Sequence, residues 1–113
     1  MPEALPFLKG TLDILVLNAL AWTPMHGFEL TRWLVERSGA AYEIDEAAVY
    51  QSLYRMEAKR LVAAEWAVSD KGRRARYYRI SATGRDHLRH EAVRWRRYAE
   101  VVAGILDTTP RDA

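Results

Sequence analysis

Gln51, Arg55 and Lys59 stand at i, i+4 and i+8, a spacing that lines an amide, a guanidinium and an ammonium along one helix stripe. These groups can read DNA base edges: Gln pairs bidentately with adenine, and Arg with guanine O6 and N7. Tyr50 and Tyr54 lie beside the stripe, where a phenol can donate to phosphate or touch a thymine methyl. Taken alone, the stripe is equally an ordinary solvated helix face, and the tyrosines are equally rim packing. Lys71, Arg73, Arg74 and Arg76 then surround Gly72. That is more charge than an edge hairpin needs, and it suits phosphate or a minor groove. Further upstream, beside His26, a helix starting at about Gly27 offers its first backbone N–H groups, those of Gly27 and Phe28, to a phosphate oxygen.

The 113 residues carry a formal net charge of +2, which hides an uneven distribution. Residues 1–70 sum to −4, residues 71–97 to +8 and residues 98–113 to −2. A cationic block of this kind is the footprint of a polyanion-binding surface or of a solvated basic helix. Only Lys71 to Arg79 lies where a hairpin would present it to phosphate. Arg85 to Arg97 belongs to a helix most of whose arginines face solvent.

Other chemistries find little support. With no cysteine there is no thiol nucleophile, disulfide framework or zinc ribbon. No Gly-rich phosphate loop, Ser/His/Asp arrangement or carboxylate pair stands out. His87 and His90 are spaced to share a metal beside Glu91, but Arg85, Arg89 and Arg94 oppose a cation. The expectation is a non-enzyme with no cofactor and no metal. No apolar run reaches the ~18 residues of a membrane span, and no secretory leader is evident. A soluble cytoplasmic protein follows as the expectation.

These residues need elements to hold them. Residues 1–7, with two prolines, read as an arm. A first helix is predicted over Leu8 to Trp22, apolar nearly all round, so it needs cover on more than one side. Its own small core covers one side, and the other implies a second copy of the chain, with Leu12 and Leu15 at the interface. Thr23 to Gly27 reads as a turn. A second helix runs from about Gly27 to Arg37, and a third from Glu46 to about Lys59 behind the N-cap Asp45. In the third helix, Val49, Leu53 and Met56 form the core face. Leu61–Val68 and Ala75–Ile80 have strand character and make a hairpin. A last helix, capped by Ser81 or Thr83, runs to Leu106. On it Leu88, Ala92, Trp95, Ala99, Val102 and Leu106 are spaced 4, 3, 4, 3, 4, an a/d seam for a dimer. The fold class is mainly α with a small β-hairpin, a winged helix-turn-helix with a C-terminal dimerisation helix. Its parts are the DNA-binding domain over 8–80, the helix over 81–106 and a frayed tail over 107–113.

Over roughly residues 5–106 the chain resembles the PadR family of bacterial transcriptional regulators. The matching segments are Leu8 to Leu17, Met25 to Leu30, Val49 to Glu57 and Gly72 to Tyr78, followed by Ser81, Thr83 and Gly84. The resemblance implies a homodimeric repressor that binds double-stranded DNA at an inverted-repeat operator. The short last helix resembles the compact branch of the family. The resemblance also implies a small aromatic effector at Trp95, since some relatives sense flat aromatic compounds between paired tryptophans. The plainer reading is that Trp95 fills the dimer core beside Ala92 and Ala99.

Two positions depart from the family pattern. Gln51 replaces a proline that usually follows the tyrosine, and the amide is free to read a base. Arg60 replaces a glycine before Leu61-Val62. Either Arg60 takes left-handed dihedrals at roughly 1 kcal/mol, or the helix runs on by one residue. From another functional class, a winged helix that binds protein rather than DNA stays open. A metal- or oxidant-sensing regulator of another family is disfavoured by the missing cysteine.

Overall fold

A computed structural model of the chain describes residues 10–39, 44–108 and 110. The arm at 1–7, Leu8, Lys9 and most of the tail lie outside the described residues. The element order is α1 (Thr11–Leu20), β1 (Met25–His26), α2 (Gly27–Arg37), α3 (Glu46–Ala58), β2 (Val62–Val68), β3 (Arg74–Ile80) and α4 (Ala82–Leu106). Four helices and a small antiparallel sheet thus replace the predicted four helices and a two-stranded hairpin.

The core forms where the apolar faces of the elements converge. Val16, Leu17, Ala19 and Leu20 of α1 meet Leu30 and Leu34 of α2, Val49, Leu53 and Met56 of α3, and Val62, Tyr78 and Ile80 of the sheet. The expected core face of α3 is therefore correct. Asp45 caps α3, its Oδ1 accepting from Ala47 N–H at 3.1 Å. Helix α1 is shorter than the predicted Leu8 to Trp22. Ala21 and Trp22 leave it as a turn, and Trp22 is exposed. Pro24 disfavours helical dihedrals at Thr23, so the helix has stopped before it. Leu12 and Leu15 are half-buried against the chain's own core. Part of the surface assigned to a partner copy is thus already covered.

The sheet corrects one expectation. Met25 and His26, read as turn, form a third strand, and the order is β1-β3-β2. Met25 pairs with Tyr78 and His26 with Tyr77. Two residues are too few to show a strand period in sequence. What makes them a strand is the open edge of β3. The hairpin register pairs Val62 with Ile80, Ala64 with Tyr78, Trp66 with Arg76 and Val68 with Arg74. These residues share one face. That face is core at its near end, where Val62, Tyr78 and Ile80 are buried, and exposed at its far end, where Trp66 and Val68 lie in solvent.

Arg60 adopts φ +60. Of the two expected outcomes, the left-handed residue is the one observed. The following carbonyls are used at once: Ser81 Oγ lies 2.8 Å from the Arg60 oxygen and 3.0 Å from the Leu61 oxygen. Ser81, not Thr83, caps α4, accepting from Gly84 N–H at 2.9 Å. A Cβ on Gly84 would stand 2.1 Å from the Leu61 carbonyl oxygen. Only glycine lets α4 start so close to the wing. The bounds of α4 are those predicted, and its 25 residues extend about 37 Å. Leu88 packs on the domain core, and the helix then runs outward. The long molecular axis is accordingly 63 Å against 35 and 20 Å for the others. No described helix is long and apolar enough to cross a membrane.

Candidate nucleic-acid interface

Helices α2 and α3 and the hairpin enclose an open cleft of about 1260 Å³. His26, Tyr50, Tyr54, Lys71, Arg73, Arg74 and Arg76, all predicted site residues, line it. Gln51, Arg55 and Lys59 do not. They stand on the outer side of α3, exposed to solvent. The exposed part of α3 therefore has a wing-facing side, with the tyrosines, and an outward side, with the predicted stripe of amide and cations.

On the outward side, Arg55 is already engaged. Its Nη2 lies 2.8 Å from Asp13 Oδ1 on α1, and Ser52 Oγ donates to the same oxygen at 2.5 Å. Ser52 is fully buried and Asp13 half-buried, so the carboxylate clasps α3 to α1. Arg55 is half-exposed beyond that contact. Gln51 and Lys59 make no side-chain hydrogen bond or ion pair within the described residues.

Within the cleft the cations are not equivalent. Arg76 is held by Glu57 of α3 at 2.7 Å. The Arg74 guanidinium lies 5.0 Å from the centroid of Trp66. Among the described residues no ion pair involves Lys71, Arg73 or Arg74. The turn between the strands is closed by Ser69 N–H to Arg73 O at 2.7 Å, and by Arg73 N–H to Ser69 Oγ at 3.2 Å. The carboxylates of Glu29, Glu36 and Asp70 also reach the cleft wall, and Glu36 is partly neutralised by Arg32 at 3.8 Å.

The start of α2 differs from its expected role. His26 Nδ1 accepts from Glu29 N–H at 3.2 Å, and Glu29 Oε1 accepts from His26 N–H at 3.4 Å. This reciprocal capping box occupies the N–H groups of His26 and Glu29, not the Gly27 and Phe28 donors that the sequence assigned to a phosphate, and adds a carboxylate beside those donors. Gly27 has a packing reason of its own: a Cβ there would lie 2.3 Å from the Tyr50 ring. His26 itself meets Tyr77 edge-on at 5.3 Å. Burial against α2, then the negative charge of Glu46, raises the Tyr50 pKa above its ordinary value. The phenol therefore stays protonated and remains a donor at neutral pH. Tyr54, 6.3 Å from it between centroids, is exposed.

Sequence reasoning missed Trp66. It read Leu61–Val68 only as a segment of strand character, but the hairpin outruns the core and leaves Trp66 and Val68 exposed. The signal was present in the arginines, which alternate on the partner strand opposite these positions.

Three helices, a two-residue strand and a long hairpin, with the third helix exposed beside the hairpin, define a winged helix-turn-helix. The chain belongs to the transcriptional regulator PadR-like family, whose profile matches residues 16–90. This family consists of regulators rather than enzymes. A PadR family transcriptional regulator from Eggerthella lenta is 29% identical, with a TM-score of 0.75 over 89% of this chain and 86% of that one. A PadR family transcription regulator from Clostridium difficile is also 29% identical, with a TM-score of 0.75 over 86% of this chain and 99% of that one. Bacillus subtilis PadR in complex with operator DNA shares the fold, with 15% identity and a TM-score of 0.64 over 73% of this chain and 46% of that one.

Proposed function

We propose that the chain is a homodimeric, sequence-specific DNA-binding repressor. The observation that carries this reading is the set of wing cations without carboxylate partners among the described residues, Lys71, Arg73 and Arg74, next to the exposed face of α3. Helix α3 enters the major groove and the wing follows the adjacent backbone, as in other winged helix-turn-helix proteins. Gln51 stands nearest the groove floor and reads a base edge. Arg55 does so from the Asp13 clasp, while Tyr54 and Lys59 take phosphates. Tyr50 braces α3 against α2. Arg76 supports the wing through Glu57 and acts on DNA less directly. At His26 and Gly27 the capping box leaves only a minor part in phosphate binding.

The dimer forms through α4, along Ala92, Trp95, Ala99, Val102 and Leu106, with Leu12, Leu15 and Leu88 at its base. The second copy supplies the second half-site, about 34 Å away along the duplex. In this reading Trp95 packs in the seam, its Nε1–H directed to Thr11 Oγ1 at 3.4 Å. Any aromatic effector would have to enter beside it.

The test is a band-shift titration of the full chain on duplex DNA over a salt series. Each wing cation that displaces a counterion contributes about 0.9 to the slope of log affinity against log salt. Changing Arg73 and Arg74 together to Ala is expected to lower that slope by about 2 and to weaken binding alike on all sequences. Gln51→Ala is expected to leave the slope unchanged and relax preference at one base pair, by ~1–3 kcal/mol. A folded dimer that binds no duplex even at low salt would refute the assignment in favour of a protein-binding winged helix.

A further inference from the structure

We propose that Trp66 and Arg74 together form one contact to the sugar–phosphate backbone of duplex DNA, with the indole as the surface on which the backbone rests. The proposal rests on the DNA-binding reading above and assigns a residue that reading does not use. Trp66 is 60% exposed, although it sits in a paired strand next to a formed core. A tryptophan kept in solvent on a charged hairpin calls for a reason beyond folding.

Its surroundings supply one. The two faces of the wing differ. On the outer face Glu65 pairs with Arg79 at 3.2 Å, so charge there is balanced. On the inner face the exposed end carries Trp66 and Val68 opposite Arg76 and Arg74, and among the described residues the only carboxylate in an ion pair there is Glu57, held by Arg76. That leaves Arg74 with the indole as its neighbour, at 5.0 Å. A guanidinium stacked on an indole keeps its N–H edge free to bind an anion. The stacking also restricts the side chain, so less freedom is lost when a phosphate arrives. The indole presents an apolar face for deoxyribose and one N–H donor. It stands on the cleft wall with Tyr54 and Tyr50 of α3, so one backbone strand passing between wing and α3 meets both.

The experiment uses the full chain and a random-sequence 30-base-pair duplex at low salt, so no operator is needed. Trp66→Ala is expected to weaken binding roughly 10-fold, and Trp66→Phe, which keeps a ring under Arg74, only ~2–3-fold. Arg74→Ala is expected to lower the salt slope by about 1. The double variant Trp66→Ala with Arg74→Ala is expected to lose less than the product of the single losses, because the two act as one unit. Saturating DNA is also expected to reduce iodide quenching of the wild type but not of Trp66→Phe. Circular dichroism checks that each variant folds; Trp66→Phe serves if Trp66→Ala does not. Folded Trp66 variants that bind with wild-type affinity, together with wild-type iodide quenching that saturating DNA leaves unchanged, overturn this proposal alone. No binding by the wild type overturns the DNA-binding reading itself.

Discussion

Two regions of the molecule leave large apolar side chains in water, and they do so in different company. On the inner face of the wing, Trp66 and Val68 alternate with arginines across the strand pair. On the outer half of α4, Trp95, Tyr98, Val102, Ile105 and Leu106 are all exposed, and no Lys or Arg occurs from Tyr98 to Leu106. Apolar surface mixed with cations matches a polyanion, which has charge to neutralise and sugars to cover. Apolar surface without cations matches another apolar surface. The charge around each patch, rather than its hydrophobicity, separates the proposed nucleic-acid face from the proposed self-association face. The two also lie on different parts of the fold, so one partner would not displace the other.

The largest expected effect tests the α4 side of this contrast. Val102→Glu with Leu106→Glu places two carboxylates in the seam of each copy. Burying unpaired charge costs several kcal/mol, enough to give a monomer at micromolar concentration by light scattering. The winged domain should keep its thermal unfolding transition apart from the concentration-dependent part. Tight binding to a two-half-site duplex should be lost, with weak single-site binding retained. A variant that stays dimeric places the interface elsewhere. A wild-type chain that is monomeric removes the self-association reading of α4 altogether.

Helix α1 stands between the two regions. Thr11 accepts from Trp95 of α4, and two residues on Asp13 holds Ser52 and Arg55 of α3. Asp13→Ala leaves buried Ser52 without its acceptor. The expected cost is about 1–3 kcal/mol, read from the midpoint of urea unfolding. Arg79→Ala breaks only the exposed pair with Glu65 and should move the midpoint by less than ~0.5 kcal/mol. Equal effects from the two would mean that Asp13 is no more than another surface charge. With Asp13 removed, Arg55 is also less constrained, so discrimination at its base should fall while the dimer persists.

Much of this arrangement was legible in the sequence, because its determinants are local. The core face of α3, the Asp45 cap, the limits of α4 and the hairpin follow from spacing and capping residues within one element. What stayed hidden depends on distant residues. Strand β1 exists because β3 presents an open edge some fifty positions later in the chain. Asp13 finds Arg55 only once α1 crosses α3. His26 and Gly27 read as a phosphate site because a helix start offers free N–H groups, and the sequence alone does not show that Glu29 brings a carboxylate beside them or that Tyr50 packs on Gly27. Trp66 was missed because strand alternation reveals which residues share a face but not where the core beneath that face ends.

Arg60 joins the recognition helix to the wing, and so sets how the cation-rich surface sits beside α3. Its φ of +60 is the left-handed conformation that costs a side-chain-bearing residue roughly 1 kcal/mol relative to glycine. Arg60 is exposed and enters no ion pair among the described residues, so the arginine side chain contributes little to offset that strain. Arg60→Gly is therefore expected to raise stability by up to about 1 kcal/mol, somewhat reduced by the greater freedom of glycine in the unfolded chain. The change is read as a shift in the urea midpoint at constant m-value. DNA affinity should fall only by the single displaced charge, since the backbone turn that aims the wing is retained. Lower stability in the glycine variant would mean that the arginine side chain itself holds the wing. The angle between the two DNA-facing surfaces would then depend on a side-chain contact and not on a backbone conformation.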